Sequence, residues 1–327
     1  MTYSSGGLIQ AVDYNGFVST TAGANVNDIW ATGATDKGYG QTALATVAAA
    51  GSITAAQWAS LVNTLASMGS HQGTTITART APVAGNTISI LAALNTDLTT
   101  LTTNRGNAAA SGAQFTGWTG TSSKTSATGS GSTAWTITFT HTITWASAAA
   151  ARYFFNAGGR IKWETSKTAD VTAADTEWND LANTLVGDIY ITGGTGTQTI
   201  AATAYTGTTK IGGTGTPTTL LTTTGWYDLL ATDTIIYKQF ADTSPYTGQF
   251  IQISAKTAGS GTQLVLTTVW TDPGGSGAGS SDNISGGTAT TGITFGTAPA
   301  TVVTYFPPST TYLSAAWGTP TVAATTA

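Results

Sequence analysis

The sequence predicts an α+β protein that is mainly β, with a helical N-terminal region followed by an antiparallel, sandwich-like region carrying one inserted helix. Three observations lead there. Apolar residues recur at spacings of three and four from Trp58 to Met68. Apolar and polar residues alternate strictly from Trp135 to Trp145. From residue 188 onward, short β-branched and aromatic runs separated by turn formers follow one another at regular intervals.

Taken in order, Leu8, Ile9, Val12 and Phe17 suggest a first helix within the opening twenty residues, weakened by Gly16. The clearest helix starts at Thr54, where Thr54 and Gln57 form a capping-box pair. Trp58, Leu61, Val62, Leu65 and Met68 make its buried stripe, and Gly69 supplies a stop. A further helix is expected over residues 88–111. There Leu91, Leu94, Leu98 and Leu101 step by three, four and three, the seam of a short coiled coil, which makes them the candidate oligomerisation residues.

Residues 116–133 are mostly Gly, Ser and Thr, with almost nothing to bury besides Trp118, so the chain is divided into a docking and oligomerisation region, 1–112, and a β-rich domain, 113–327, with a possible subdivision near 188. In the strand that follows, Trp135, Ile137, Phe139, His141, Ile143 and Trp145 form one face and five threonines the other. Its length demands a partner of similar length. Ala148 to Phe155 reads as a short helix or turn, closed by Gly158 and Gly159, and Arg160 to Thr165 as a strand. The inserted helix begins at Thr172 and buries Trp178, Leu181, Leu185 and Val186. Strands are then expected at Ile189 to Ile191, Gly225 to Asp228, Thr234 to Phe240, Gln249 to Ser254 and Gln263 to Thr271. The glycine clusters at 193–196 and 212–215 read as hairpin turns, Gly274 to Ser285 as a flexible loop, and the tail beyond Gly318 as frayed.

Composition removes several functions. Only 8% of the 327 residues are charged and the net charge is −4, so a run of phosphates finds no basic surface and nucleic-acid binding is not expected. With no Cys there are no disulfides, thiolate metal sites or cysteine nucleophiles. Ten Trp, 11 Tyr and 9 Phe nevertheless supply ample area for folded cores, which argues against disorder. Met1 to Gly7 has neither a basic nor an apolar leader pattern, and no run of about 18 apolar residues occurs, so neither signal-directed export nor membrane insertion is expected.

Catalytic parts are scarce. His71 and His141 are the two imidazoles, the first placed to cap a helix end and the second on the apolar face of a strand, and no nucleophilic triad can be assembled from them. Glu164 and Glu177, with Asp170 and Asp175, offer an imaginable glycosidase pair, although charge at a helix start explains Asp175 and Glu177 more simply. The segment at Gly274 to Ala278 lacks the strand-to-helix context of a nucleophile elbow. Asp272 and Asp282, flanking the glycine-rich loop, match no calcium-loop spacing. The expectation is therefore no enzyme, no cofactor and no resident metal. Trp118, Trp226 and Trp317, set beside Gly or Thr, are the candidate surface aromatics for stacking on sugars or packing against a partner.

Two stretches, VNDIWATGATDKGYGQ at 26–41 and ARYFFNAGGRI at 151–161, resemble segments of virion structural proteins of tailed bacteriophages, including tail and tail-fibre proteins of cyanobacterial and marine phages. The helix around Trp58 and the pair His71 and Gln72 join the resemblance, which spans much of residues 3–165. It implies a non-catalytic structural component of the virion, assembled in the host cytoplasm, and brings no catalytic residues. The expected form is a homo-oligomeric fibre, baseplate or collar protein, a trimer or hexamer in contact with itself and other virion proteins. Alternatives are a module binding host-surface glycan, a capsid-surface or decoration protein, and, less favoured, a cellular surface-layer or pilus subunit.

Overall fold

A computed structural model describes residues 10–19, 24–85, 93–109, 119–123, 126–127, 135–168, 173–194, 196–273, 293–294 and 299–327. The helices are α1 (Ala11–Val18), α2 (Val26–Trp30), α3 (Ala55–Gln72), α4 (Leu94–Thr103), α5 (Ala148–Asn156) and α6 (Ala173–Asp180). The last continues as a π-turn, Leu181–Leu185, in which Val186 N–H reaches back to the Leu181 carbonyl at 3.2 Å. The strands are β1 (Thr119–Ser123), β2 (Ser126–Ala127), β3 (Trp135–Thr144), β4 (Arg160–Ser166), β5 (Asp188–Ile191), β6 (Thr197–Ile200), β7 (Thr203–Thr206), β8 (Thr208–Ile211), β9 (Thr219–Leu220), β10 (Thr234–Phe240), β11 (Phe250–Ala258), β12 (Gln263–Asp272), β13 (Ile293–Thr294), β14 (Ala300–Phe306) and β15 (Thr321–Thr326).

Two antiparallel sheets carry the β region, ordered β1-β14-β4-β5-β8 and β15-β3-β12-β11-β10-β9. The protein is α+β and mainly β, as expected. The long alternating strand finds its equal in β12, which pairs with β3 residue for residue from Trp135↔Asp272 to Thr144↔Gln263. Ile137, Phe139, His141 and Ile143 are buried, and Leu264, Leu266, Thr268 and Trp270 continue that face on β12. The sheets meet where Trp163 of β4 donates its indole N–H to the Thr268 hydroxyl at 2.8 Å. Trp178 of α6 stacks on Trp270 with centroids 5.3 Å apart.

Helix α3 follows its pattern at the start and along the buried stripe, but it runs through the expected stop at Gly69 and ends at Gln72. Thr54 Oγ1 accepts from Gln57 N–H at 3.2 Å while Gln57 Oε1 accepts from Thr54 N–H at 2.8 Å, and Gly73 takes the left-handed conformation at φ +66° that ends the helix. Trp58, Leu61, Val62, Leu65 and Met68 are all buried.

Several expectations are corrected. Leu94, Leu98 and Leu101 are at most 1% exposed and belong to the chain's own core, so α4 presents no leucine seam to a second copy; Leu91 lies outside the described residues. One continuous core runs through residues on both sides of the division near 112, from Tyr14 and Trp58 to Phe154, Trp270 and Trp317. Gly225 to Asp228 is a tight turn instead of a strand, because Asp228 Oδ2 accepts from Gly225 N–H at 2.9 Å and Gly225 O from Asp228 N–H at 3.0 Å. The tail does not fray: β15 pairs with β3 from Thr321↔Thr144 to Thr326↔Phe139. The glycines at 193–196 and 212–215 do not close hairpins. The first group leads from β5 to β6, strands of different sheets, and the second crosses from β8 to β9, again in different sheets. Thr172, Asp170, Asp282 and the loop from Gly274 to Ser285 lie outside the described residues.

Candidate functional site

The loop after α2 is built by backbone crossings. Gly38, at φ +94°, passes so close to Thr32 that a Cβ there would stand 2.3 Å from the Thr32 carbonyl oxygen, which only glycine avoids. This loop is clamped from α5. Asn156 donates Nδ2–H to the Gly38 carbonyl at 2.9 Å, and Arg152 donates Nη2–H to the Thr32 carbonyl at 2.7 Å. His71, buried at the end of α3, approaches the Ala157 carbonyl with Nε2 at 3.1 Å. A carbonyl can only accept, so that nitrogen carries the proton. Burial drives the His71 pKa down to about 4, leaving the ring neutral at ordinary pH.

Against this clamp lies a polar hollow of about 210 Å³. Its walls come from Asp36 of the loop, Thr103 at the end of α4, Arg105 to Asn107 after it, Asn156 of α5, residues 194 and 196 ahead of β6, Thr197 and Gln198 at its start, and Tyr227 and Asp228 of the tight turn. Arg105 is anchored twice, by an ion pair to Asp36 Oδ2 and by Nη1–H donated to the Thr102 carbonyl at 2.9 Å. Burial alone would raise the Asp36 carboxyl, but the hydrogen bond and charge of Arg105 outweigh it and hold the pKa below its ordinary value. Asn107 Oδ1 accepts from Thr199 N–H at 2.8 Å and ties the turn after α4 to β6.

Tyr227 sits at the centre of the arrangement. Its hydroxyl donates to Asn156 Oδ1 at 2.5 Å, and burial raises its pKa far beyond the usual phenol range, so it remains a donor. A second, more apolar hollow of about 470 Å³ shares Asp36 and Tyr227 with the first and is otherwise lined by Thr35, Ala148, Ala149, Arg152 and Trp226. Trp226 stacks on Phe155 at 5.3 Å and meets Tyr227 edge-on at 4.9 Å.

Of the predicted surface aromatics, Trp226 is only 8% exposed and Trp317 2%, so both are core residues and the expectation of protruding rings is corrected; Trp118 lies outside the described residues. Trp226 still borders the second hollow through the little surface it keeps. Sequence reasoning did not single out Arg105, Asn107, Asn156, Gln198 or Tyr227. The available signals were the turn-forming run Asn104 to Asn107 at a helix end and the glycines ahead of Gln198.

The other candidates separate. His141 is fully buried in β3. Glu164 pairs with Lys162 at 2.5 Å, whereas Glu177 belongs to a different cluster. There Glu177, Asp180 and Asp242 bring carboxylate oxygens within 4.8 Å of one another, the one such group among the described residues, with Glu177 Oε1 accepting from Thr243 N–H at 3.4 Å. Asp272 is buried and accepts from Gln249 Nε2–H at 3.2 Å, which gives it a structural partner inside the core. No helix of the described residues is long and apolar enough to cross a membrane. No family model matches this sequence, and no curated protein or solved structure matches it.

Proposed function

We propose that the chain is a non-catalytic structural component of a tailed-bacteriophage virion, a tail protein of the fibre, baseplate or collar. One observation supports this reading above the others. The two stretches on which the resemblance rests, 26–41 and 151–161, are 110 residues or more apart in sequence yet bind each other through Asn156 to Gly38, Arg152 to Thr32, and the ring of Tyr153 beside Gly40. They act as one structural joint between the helical region and the sheets, and His71 and Gln72, which share the resemblance, contribute to the same joint. The likeness therefore falls on an architectural element, as suits a protein whose task is assembly. Since the leucines of α4 are spent on the core, any self-association in the virion uses other surfaces.

The test is mass spectrometry of particles purified by density gradient from the lysate in which the gene is expressed. The protein is expected in the particle band in stoichiometric amount, located by antibody labelling on the tail. Its absence from clean particles overturns the reading, and labelling on the capsid shell would replace tail by capsid decoration.

A further inference from the structure

We propose that the polar hollow beside Tyr227 is a binding site for one ring of a neutral saccharide, with the adjoining apolar hollow receiving the next part of the chain. This does not rest on the virion reading and holds for the protein in any setting.

The lining has the chemistry of polyol recognition. A carboxylate, a guanidinium and side-chain amides each present two hydrogen-bonding positions in one plane, a spacing that suits adjacent sugar hydroxyls. Asp36, Arg105, Asn107, Asn156 and Gln198 bring all three groups to one hollow. Gln198, in the wall of the hollow, has a buried Oε1 with no hydrogen-bond partner among the described residues, an acceptor left unsatisfied at the edge of the site.

Within the polar hollow, charge selects against an anion. Arg105 is already neutralised by Asp36, and the remaining carboxylate, Asp228, is held by Gly225 N–H. An acidic sugar would have to break that ion pair, whereas a neutral ring can add hydrogen bonds around it.

Space is provided by residues without side chains. Gly106, Gly194 and Gly196 form part of the wall, and a Cβ at Gly196 would meet nothing within 4 Å. The polar hollow alone is smaller than the roughly 300–1,000 Å³ of small-ligand sites, which fits a single ring, and the aromatic lining of its neighbour supplies an apolar surface for the C–H face of a second. The predicted aromatic contribution thus survives through Tyr227 and the edge of Trp226, on a recessed surface in place of loop tips.

The experiment is saturation-transfer NMR on the full chain with glucose, galactose, mannose, N-acetylglucosamine, maltose and lactose. Glucuronic acid, N-acetylneuraminic acid and a Gly-Ser peptide serve as comparisons. At least one neutral sugar is expected to bind saturably, and the disaccharide containing it to bind more tightly than the monosaccharide. Gly196→Phe fills the open space and is expected to weaken binding about tenfold or more without lowering the melting temperature. Should that variant be destabilised, Gln198→Ala decides, with a severalfold loss expected. The proposal is overturned if no neutral sugar binds, if only the acidic sugars or the peptide bind, or if the folded variants bind as tightly as the native chain.

Discussion

Asn156 and Gly38 lie 118 positions apart, and the 2.9 Å hydrogen bond from the Asn156 amide to the Gly38 carbonyl fastens the N-terminal loop to the helix that leads into the sheets. The same amide accepts the Tyr227 hydroxyl, so a single buried side chain joins three parts of the chain and one wall of the polar hollow. Asn156→Ala leaves the Gly38 carbonyl without its donor and the Tyr227 hydroxyl with only the Arg152 carbonyl at 3.4 Å, and is expected to cost about 2 kcal/mol in denaturant unfolding. Tyr227→Phe, which strands only the Asn156 oxygen, is expected to cost about 1 kcal/mol. Equal losses for the two variants would show that the Gly38 contact contributes nothing.

Because the core is continuous across residue 112, removing residues 1–112 exposes the faces that α3, α4 and the loop at 31–41 cover. The remaining chain is expected to lose cooperative unfolding and to associate non-specifically, seen by circular dichroism and light scattering. A truncated chain that melts cooperatively as a monomer would mean that residues 113–327 fold without the helical region.

Acid is expected to destabilise the protein through His71. The folded ring stays neutral down to about pH 4, while the unfolded ring takes up its proton near the ordinary value of 6.5. Between those values the unfolded state binds more protons, so stability is full above pH 6.5 and falls as the pH drops, by about 3 kcal/mol at pH 4. His71→Gln removes the titrating group and should flatten unfolding free energy against pH across this window. An unchanged slope would assign the acid sensitivity to other groups.

Arg79 and Asp97 form a 2.5 Å ion pair with side chains 5% and 9% exposed, and Asp97 also accepts from the Thr77 N–H at 3.2 Å. Asp97→Ala leaves a buried guanidinium uncompensated and is expected to cost about 3–5 kcal/mol. The double change Arg79→Met with Asp97→Leu should recover most of that loss, as read from a double-mutant cycle.

The last strand covers the edge of β3, with Ala327 and Thr138 exchanging N–H to carbonyl bonds at 2.8 and 2.9 Å. Deleting residues 319–327 bares a ten-residue strand whose ladder groups are then open to another chain. Concentration-dependent oligomers are expected in size-exclusion chromatography with light scattering. A deletion variant that stays monomeric at high concentration would show that the exposed edge is otherwise protected.

What the sequence determined by itself is local. The capping box at Thr54, the stripe from Trp58 to Met68, the alternation from Ile137 to Ile143 and the face of Trp178, Leu181, Leu185 and Val186 are visible because helix and strand periods are short and each buried position follows from its near neighbours. Tertiary structure decided what those faces meet. Leucines at coiled-coil spacing pack inward equally well against their own chain or a copy, and the same residues carry no mark of which surface arrives. The strand at the tail is Thr and Ala with a single Val, too little apolar contrast to read, and it forms because β3 offers it an edge. The hollow was out of reach for a related reason: Asp36, Arg105, Asn156, Gln198 and Tyr227 come from five separate segments, and polar residues spaced this widely become a site only when the packed core fixes the distances between them.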